Sequence, residues 1–534
     1  MLRSARRYGS RCGRAMFSFA WWLALLIGFL SLSEEILWVR VAGFAYRSLP
    51  PAFSFVLMFY LLGIAAGASL GKHLCGRVKN LYAAAAVLLA VTSLLDALTP
   101  LIITSYVYPS DRALAIPAVA IALMAASKSI LFPIVHHLGS PASGPRVGRS
   151  VSRIYFGNIV GSTLGPLVTG FLALDYLTVD QCFGLAAVLC LLASIAAVLK
   201  ASKPKLILVT LVAAAAASSI SSSIIHPGPG SLGTLAMRGP NPVTHFVANR
   251  HGIIHTVATG DGDMVYGGNV YDGMTSIDVD TNPNHLERLY MVALMMPSPK
   301  QVLFVGLSTG AWVRAIQGFP GVERIDVVEI NPAYIDLIRS YGQLLPLLQD
   351  PRIHIHIDDG RRWLRRNPLT RFDLVVQNTT FFWRANTGNL LSREYFSEVK
   401  KHLDPGGIVI SNTTGSFDVL ASTQAVFGYA YRYSNFVYAS DQPLTATLSR
   451  LWNVRRPDGS LFAPDDKPAA SVAAFLAGAR LEPTREFIAR RHADAQIITD
   501  DNLLSEYRDG ARFGPTFLKA VQPSTPALFG PLDP

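Results

Sequence analysis

The residues able to do chemistry gather between positions 301 and 384. Gln301-Val-Leu-Phe-Val-Gly306 is a short apolar run that opens into Gly306-Leu-Ser308-Thr309-Gly310. A tight glycine turn between a strand and a helix lets backbone N–H groups approach a ligand. A second apolar run, Arg324–Glu329, ends in an acid about 20 residues after those glycines, where a carboxylate suits the two hydroxyls of a ribose. The alternating run Arg352–Ile357 ends in Asp358-Asp359-Gly360, and an acid there can accept a hydrogen bond from an adenine amino group. Asn378 follows a fourth run, Phe372–Gln377.

These residues need a frame. Short apolar runs read as buried parallel strands, and helical patterns lie between them at Ala311–Phe319, Asn331–Tyr341 and about 393–403. Gly406–Ser411 reads as a fifth strand. In an open parallel sheet a ligand lies beyond the carboxyl ends of the strands, where Gly306–Gly310, Glu329, Asp359 and Asn378 all fall. Each element is weak by itself, and the repetition of the βα unit carries the reading. The competing reading is a sheet whose acids only cap helices.

The chain has 534 residues, half hydrophobic and only 16% charged, against roughly a quarter charged in soluble proteins. Mean hydropathy is +0.33, which excludes a disordered chain and argues against a wholly soluble one. The net charge of +11 would suggest nucleic acid if it sat on one soluble face. It lies instead in short segments between apolar runs, so no nucleic-acid partner is expected. Cys12, Cys75, Cys182 and Cys190 form no CxxC pair and no Cys/His cluster, which supports neither a disulfide framework nor a metal site.

A helix needs about 20 apolar residues to cross a bilayer. Seven segments qualify: 15–33, 52–70, 81–104, 113–135, 154–173, 181–199 and 206–225, the last being the weakest. Five arginines precede the first, which is read as a retained helix and not a cleaved signal. A breaker-rich linker at 226–243 follows, with its His226-Pro-Gly-Pro-Gly, and then globular composition. The expected organisation is a transmembrane domain at 1–225, the linker, a small β region at 244–298, a Rossmann-like nucleotide-binding domain at 299–510 and an irregular tail at 511–534. Basic residues cluster before the first segment and after the second, fourth and sixth, which puts the N-terminus in the cytoplasm. Seven crossings would then put the C-terminal domain outside, away from cytosolic nucleotides, and the sequence leaves its side open. Lys128 lies mid-segment, where a charge is a functional hypothesis by default; Glu34 and Glu35 are its expected partners, and Asp96 is expected near a wet end. Gly63, Gly67 and Gly71 form a close-packing face.

Val302–Gly310, Val327-Val-Glu329-Ile330-Asn-Pro, Asp350-Pro-Arg352, Asp359-Gly360-Arg-Arg and Asp404-Pro-Gly-Gly407 resemble the spermidine synthase (polyamine aminopropyltransferase) family. The layout is similar to the membrane-fused members found in bacteria. The resemblance runs over most of 240–510, including Thr499-Asp-Asp-Asn502 and Glu506-Tyr507. Tyr271-Asp272-Gly273 stands for the family's Leu-Asp-Gly, and His285-Leu-Glu287 for its Tyr-His/Gln-Glu. The fold implied is a multi-pass α-helical membrane domain followed by an α/β Rossmann-like, methyltransferase-type domain with a small N-terminal β region.

The activity implied is aminopropyl transfer from decarboxylated S-adenosylmethionine to an amine, without a metal. Glu329 with Ile330 would hold the ribose, Asp359 with Gly360 the adenine, and Gly306, Ser308, Thr309, Gly310 and His285 the rest of the cosubstrate. Asn378, Asp272 and Glu287 would stand at the catalytic positions, and Tyr271, Phe381, Trp383 and Arg384 at the substrate. This sequence departs from the family where it matters. The acid that holds the aminopropyl nitrogen is Thr309 here, the catalytic Asp after the fourth strand is Asn378, a second Asp is Phe381, and the Gln after Asp-Gly is Ser276. An amide orients an amine but is no useful base, and a polyamine needs acids to balance its charge. Phe381-Phe-Trp383-Arg384 could hold a sulfonium by cation–π contact, and Arg384 could meet the carboxylate of intact S-adenosylmethionine. Three chemistries therefore remain: aminopropyl transfer, methyl transfer, and internal cleavage that releases methylthioadenosine. A nucleotide sensor or a transporter-like protein are the non-enzymatic readings. The expected partners are a small molecule and membrane lipid, a homodimer is allowed, and the expected location is a bacterial inner membrane.

Overall fold

The computed structural model describes residues 18–104, 111–140, 147–203, 230–236, 241–296, 298–378, 381–463, 471–502 and 505–508, with short pieces at 205–207, 210–211, 213–215 and 469. Cys12, the N-terminal arginines, most of the seventh expected segment, much of the linker and the 511–534 tail lie outside the described residues.

Six described helices are long and apolar enough to cross a membrane: α1 (Phe19–Ala45), α2 (Pro50–Arg77), α3 (Leu81–Thr104), α4 (Asp111–Gly139), α5 (Val147–Val168, prolonged by a π turn to Ala173) and α6 (Val179–Ala201). Capping explains two of the starts. Ser18 caps α1 by accepting from Trp21 N–H, and Thr178 and Gln181 form a reciprocal capping box on α6. The first expected segment ended at residue 33; the helix runs on to Ala45. It continues because Glu34 is wholly buried against Lys128. Asp96, expected to be wet, is also wholly buried and takes a hydrogen bond from Lys128. An acid inside a helical bundle goes where its cation is, and hydropathy does not see the cation.

Gly63, Gly67 and Gly71 bring α2 against α4: a Cβ on each would meet the backbone carbonyl of Ala122, Ala126 or Ile130. A second stripe packs α5 on α1: a Cβ on Gly161 or Gly165 would meet the backbone carbonyl of Leu25 or Phe29, and one on Gly157 the Trp21 ring.

The soluble part contains two sheets. Strands β1 (Val243–Asn249), β2 (Gly252–Val257), β3 (Met264–Gly267) and β4 (Val270–Met274) form an antiparallel meander. The other sheet holds β5 (Gln301–Val305), β6 (Arg324–Glu329), β7 (Ile353–Ile357), β8 (Phe372–Gln377), β9 (Leu403–Asn412), β10 (Tyr429–Tyr433), β11 (Phe436–Ser440) and β12 (Glu482–Pro483), in the order β12-β10-β11-β9-β8-β5-β6-β7. The five strands β9, β8, β5, β6 and β7 are parallel as expected; β11, β10 and β12 add an antiparallel edge, so the sheet is mixed. Val305 pairs with Val328 and Gln377, and Glu329 with Ile357. That register brings the ends of four strands to one edge. Two apolar layers cover the faces, one around Leu289, Phe304 and Ile338 and the other around Leu303, Val375 and Phe396.

The soluble part rests on one end of the bundle. Arg40 of α1 donates to the carbonyls of Asn249 (2.5 Å) and Gly252 (3.0 Å), Asn269 to Phe44 (3.1 Å), Ala385 N–H to Ser48 (2.8 Å), and Arg250 N–H to Asp175 (3.0 Å). At the other end Asn80 donates to the carbonyl of Ala201 (3.2 Å). Ser231 N–H binds Asp180 at the soluble end (2.7 Å).

Gly161→Leu is expected to lower the thermal midpoint in detergent, at a cost of about 2 kcal/mol or more, because backbone meets backbone there. Gly43→Leu, where a Cβ meets nothing, should leave the midpoint unchanged.

Candidate active site

The site forms at the mouths of β5, β6, β7 and β8. The turn after β5 needs positive φ at Gly306 (+94°), Ser308 (+48°) and Gly310 (+75°). Gly310 is fixed twice, since its Cβ would also strike Leu347 at 2.5 Å. Above Gly306 the space is open: a Cβ would meet only the Asn378 carbonyl at 3.8 Å. Thr309 is buried, and its Oγ1 accepts from Ala311 N–H (3.2 Å), which starts the helix Ala311–Ile316.

Glu329 binds this turn to its own strand. Its Oε2 accepts from Leu307 N–H and its Oε1 from Asn331 N–H, both at 2.8 Å. It is 5% exposed, and burial pushes its carboxyl up to about 7 against those bonds, with the nearby Asp272 charge adding to the rise. Ile330, the next residue, is 55% exposed and offers a flat apolar surface at the same mouth. Asp359 is partly buried and caps the helix Gly360–Arg366 by accepting from Arg362 N–H (2.8 Å) through Oδ1. Gly360 lets that helix lie against Val305. Asp358 beside it is held by Arg362 and Arg366.

The β3–β4 hairpin supplies the opposite wall. Gly268 (φ +59°) and Asn269 (φ +65°) make its two-residue turn, whose paired positive angles suit a twisted hairpin. The following strand carries Tyr271 and Asp272, and Gly273 (φ +135°) lies over Ser308 and Thr309. Asp272 accepts from the Tyr334 hydroxyl, and the Ser308 hydroxyl donates to the Asp272 carbonyl. Burial pushes the Asp272 carboxyl up to about 6, while Tyr334, Arg384 and Ser308 work against the rise. Arg384 reaches this wall from the loop after β8. Its Nη2 lies 3.3 Å from the Ser48 hydroxyl in the loop between α1 and α2, and a Cβ on Gly268 would sit 2.7 Å from it.

The remaining expected residues are placed as follows. Asn378 accepts from Asn412 Nδ2 (3.0 Å) and sits beside Gly306. Glu287 is buried between His285 (3.5 Å), Arg288 (3.6 Å) and Asn282 (2.6 Å). Burial raises its carboxyl, but the bonds from His285 and Asn282 and the Arg288 charge hold it below the usual range. Tyr271 packs edge-on to Tyr266. Phe381 stacks on Trp383 at 5.4 Å between ring centres, and Phe382 and Trp383 are buried in the core with Leu49 of the α1–α2 loop. Among the described residues no three His, Cys, Asp or Glu gather as metal ligands. Tyr334 and Ser48 are site residues that the sequence did not single out. Ser48 lies 336 residues from Arg384 and carried no local signal.

The glycine turn, with its amides held by Glu329 and neighbouring carbonyls, and the facing hairpin with Asp272 come together on one sheet edge. Residues 287–434 match the model of the spermine/spermidine synthase domain family. Over 116 residues the chain is 31% identical to a polyamine aminopropyltransferase of Alkaliphilus oremlandii, covering 22% of this chain and 40% of that one. It is 28% identical over 148 residues to a spermidine synthase of Coffea arabica, covering 26% and 46%. The chain thus spans less than half the length of these curated relatives. A solved spermidine synthase in complex with the transition state analogue AdoDATO aligns over 38% of this chain and 74% of its own, at 20% identity and a TM-score of 0.33.

The two raised carboxyls give the synthase-like domain a pH signature. Each favours the folded state fully below the ordinary carboxylate range, and that contribution is lost as pH rises through about 6 for Asp272 and about 7 for Glu329. Thermal unfolding should therefore show stability falling as pH rises across that interval, and Glu329→Gln should remove the upper step.

Proposed function

We propose that the soluble domain binds S-adenosylmethionine or its decarboxylated form and transfers a group from the sulfonium, the aminopropyl group by kinship with the domain family. The observation that carries this reading is the pairing of Glu329, bound to the amides of the glycine turn, with Asp272 on the facing hairpin. The cradle suits the cosubstrate: open space above Gly306, an exposed Ile330 for the adenine face and the second carboxylate oxygen of Asp359 for its amino group. Two acids near a sulfonium stabilise its charge.

In aminopropyl transfer an amine nitrogen attacks the carbon next to sulfur. The N–C bond forms, the C–S bond breaks with its pair going to sulfur, and one proton leaves the nitrogen. Asn378 orients that nitrogen but does not take the proton. Asp272, pushed up to about 6, is near the value a base needs at neutral pH.

A second reading is favoured by one observation. Arg384 puts a guanidinium beside Asp272, where its charge and that of the acid act on each other. A fixed cation there offsets the charge balance that would attract a polyamine, and suits a donor that keeps its carboxylate. In that case the carboxylate attacks the carbon next to sulfur within the same molecule, and methylthioadenosine leaves without an external amine.

The sided placement of the soluble part supports a further reading. It rests on the α1–α2 and α5–α6 loops, while Lys72, Arg77, Lys79, Arg149, Arg153 and Lys200 lie toward the opposite end. With those residues cytoplasmic, the cleft faces away from the cytoplasm of a bacterial inner membrane. Protease should then cut the soluble part in spheroplasts but not in inverted vesicles; the reverse pattern overturns this placement.

Purified full-length protein is to be incubated with each cosubstrate, with and without putrescine. Methylthioadenosine that requires putrescine supports aminopropyl transfer. Methylthioadenosine from S-adenosylmethionine without amine supports internal cleavage. S-adenosylhomocysteine supports methyl transfer, and binding without product supports a sensor. For aminopropyl transfer, Asp272→Asn should cut kcat about 100-fold or more. For internal cleavage, Arg384→Met should raise KM for S-adenosylmethionine more than for its decarboxylated form.

A further inference from the structure

Three charged side chains meet inside the membrane bundle, far from the cleft. Glu34 comes from α1, Asp96 from α3 and Lys128 from α4. Lys128 Nζ lies 2.6 Å from Glu34 Oε2 and 2.9 Å from Asp96 Oδ1, and none of the three is more than 1% exposed. The other ionisable groups facing them are Tyr60 of α2 and Cys190 of α6; Glu35, half-buried, lies beyond. Tyr60 donates its hydroxyl proton to the Ser31 carbonyl, and so it does not serve Glu34.

Two carboxyls share one ammonium in a dry site. Were both ionised, one full negative charge would stand unbalanced in a low-dielectric interior, a far larger cost than binding a proton. The donors are also unequal. Asp96 accepts from Lys128 at 2.9 Å and from Cys190 Sγ at 3.7 Å. Both oxygens of Glu34 are buried and receive no hydrogen bond of proper geometry; the Lys128 contact is ionic. Ser33 Oγ, one residue away, is buried and also unmatched.

We propose that Glu34, Asp96 and Lys128 form a proton-binding site in the membrane domain, with one exchangeable proton carried by Glu34 while Asp96 and Lys128 make the ion pair. The membrane part then does more than anchor the soluble part. Loss of the proton gives Lys128 two equal partners and redistributes its contacts among α1, α3 and α4, the means by which a bundle couples a proton to movement.

The test is infrared spectroscopy of the full chain in lipid, at a pH where Glu329 and Asp272 are ionised. A carboxylic-acid C=O band is expected, shifted in heavy water because its proton exchanges and diminishing as pH rises further. Glu34→Gln removes the carboxyl that carries the proton. Asp96→Asn leaves Glu34 as the sole partner of Lys128, now ionised. Each variant should therefore lack the band. Lys128→Met, with two acids and no cation, should increase it. No band in the unmodified protein, no shift in heavy water, or a band kept in either single-acid variant overturns the proposal. Should a variant fail to fold, the pH and heavy-water arms on the unmodified protein still decide it.

Discussion

The cleft depends on one buried carboxylate. Glu329 accepts a backbone N–H from the turn after β5 with one oxygen and from the turn after its own strand with the other. It thereby fixes two strand mouths relative to each other and closes a turn whose positive φ angles are otherwise costly. Burial raises its carboxyl to about 7, so the tie is purchased against desolvation and kept because two amides face it. The hairpin with Asp272 can then lie across the turn, with Gly273 over Ser308 and Thr309.

The second dependence is the contact with the bundle. The α1–α2 loop reaches the cleft wall through Ser48, to both Arg384 and the Ala385 amide, and Phe44 accepts from the hairpin turn. That wall is thus built in part by the loop between α1 and α2. Movement of α1 relative to the soluble part would move Arg384 and the Gly268–Asn269 turn together, which gives a physical route between bundle and cleft.

The charges inside the protein follow a common rule. Each buried acid of the site has hydrogen-bond donors, Asp180 of α6 has Ser231, and Glu34 and Asp96 share a lysine. In water these groups would ionise independently; out of water, their partners decide which of them carry charge. The same constraint explains why α1 passes through Glu34 without ending.

The sequence by itself determined what depends on nearest neighbours. The apolar runs marked the bundle and the central parallel strands, and the acids after β6 and β7 marked the sheet edge, because strand ends place the next residue at the mouth whatever lies farther away. Phe372–Gln377 and Leu81–Thr104 came out as they stand in the structure. Tertiary structure alone decided what depends on distant partners. It buried Asp96, carried α1 past Glu34, added an antiparallel edge to the sheet and brought Ser48 to Arg384. Local sequence sets which conformations and polarities are available, whereas the pairing of charges and hydrogen bonds across hundreds of residues is fixed only when the chain is packed and water is gone.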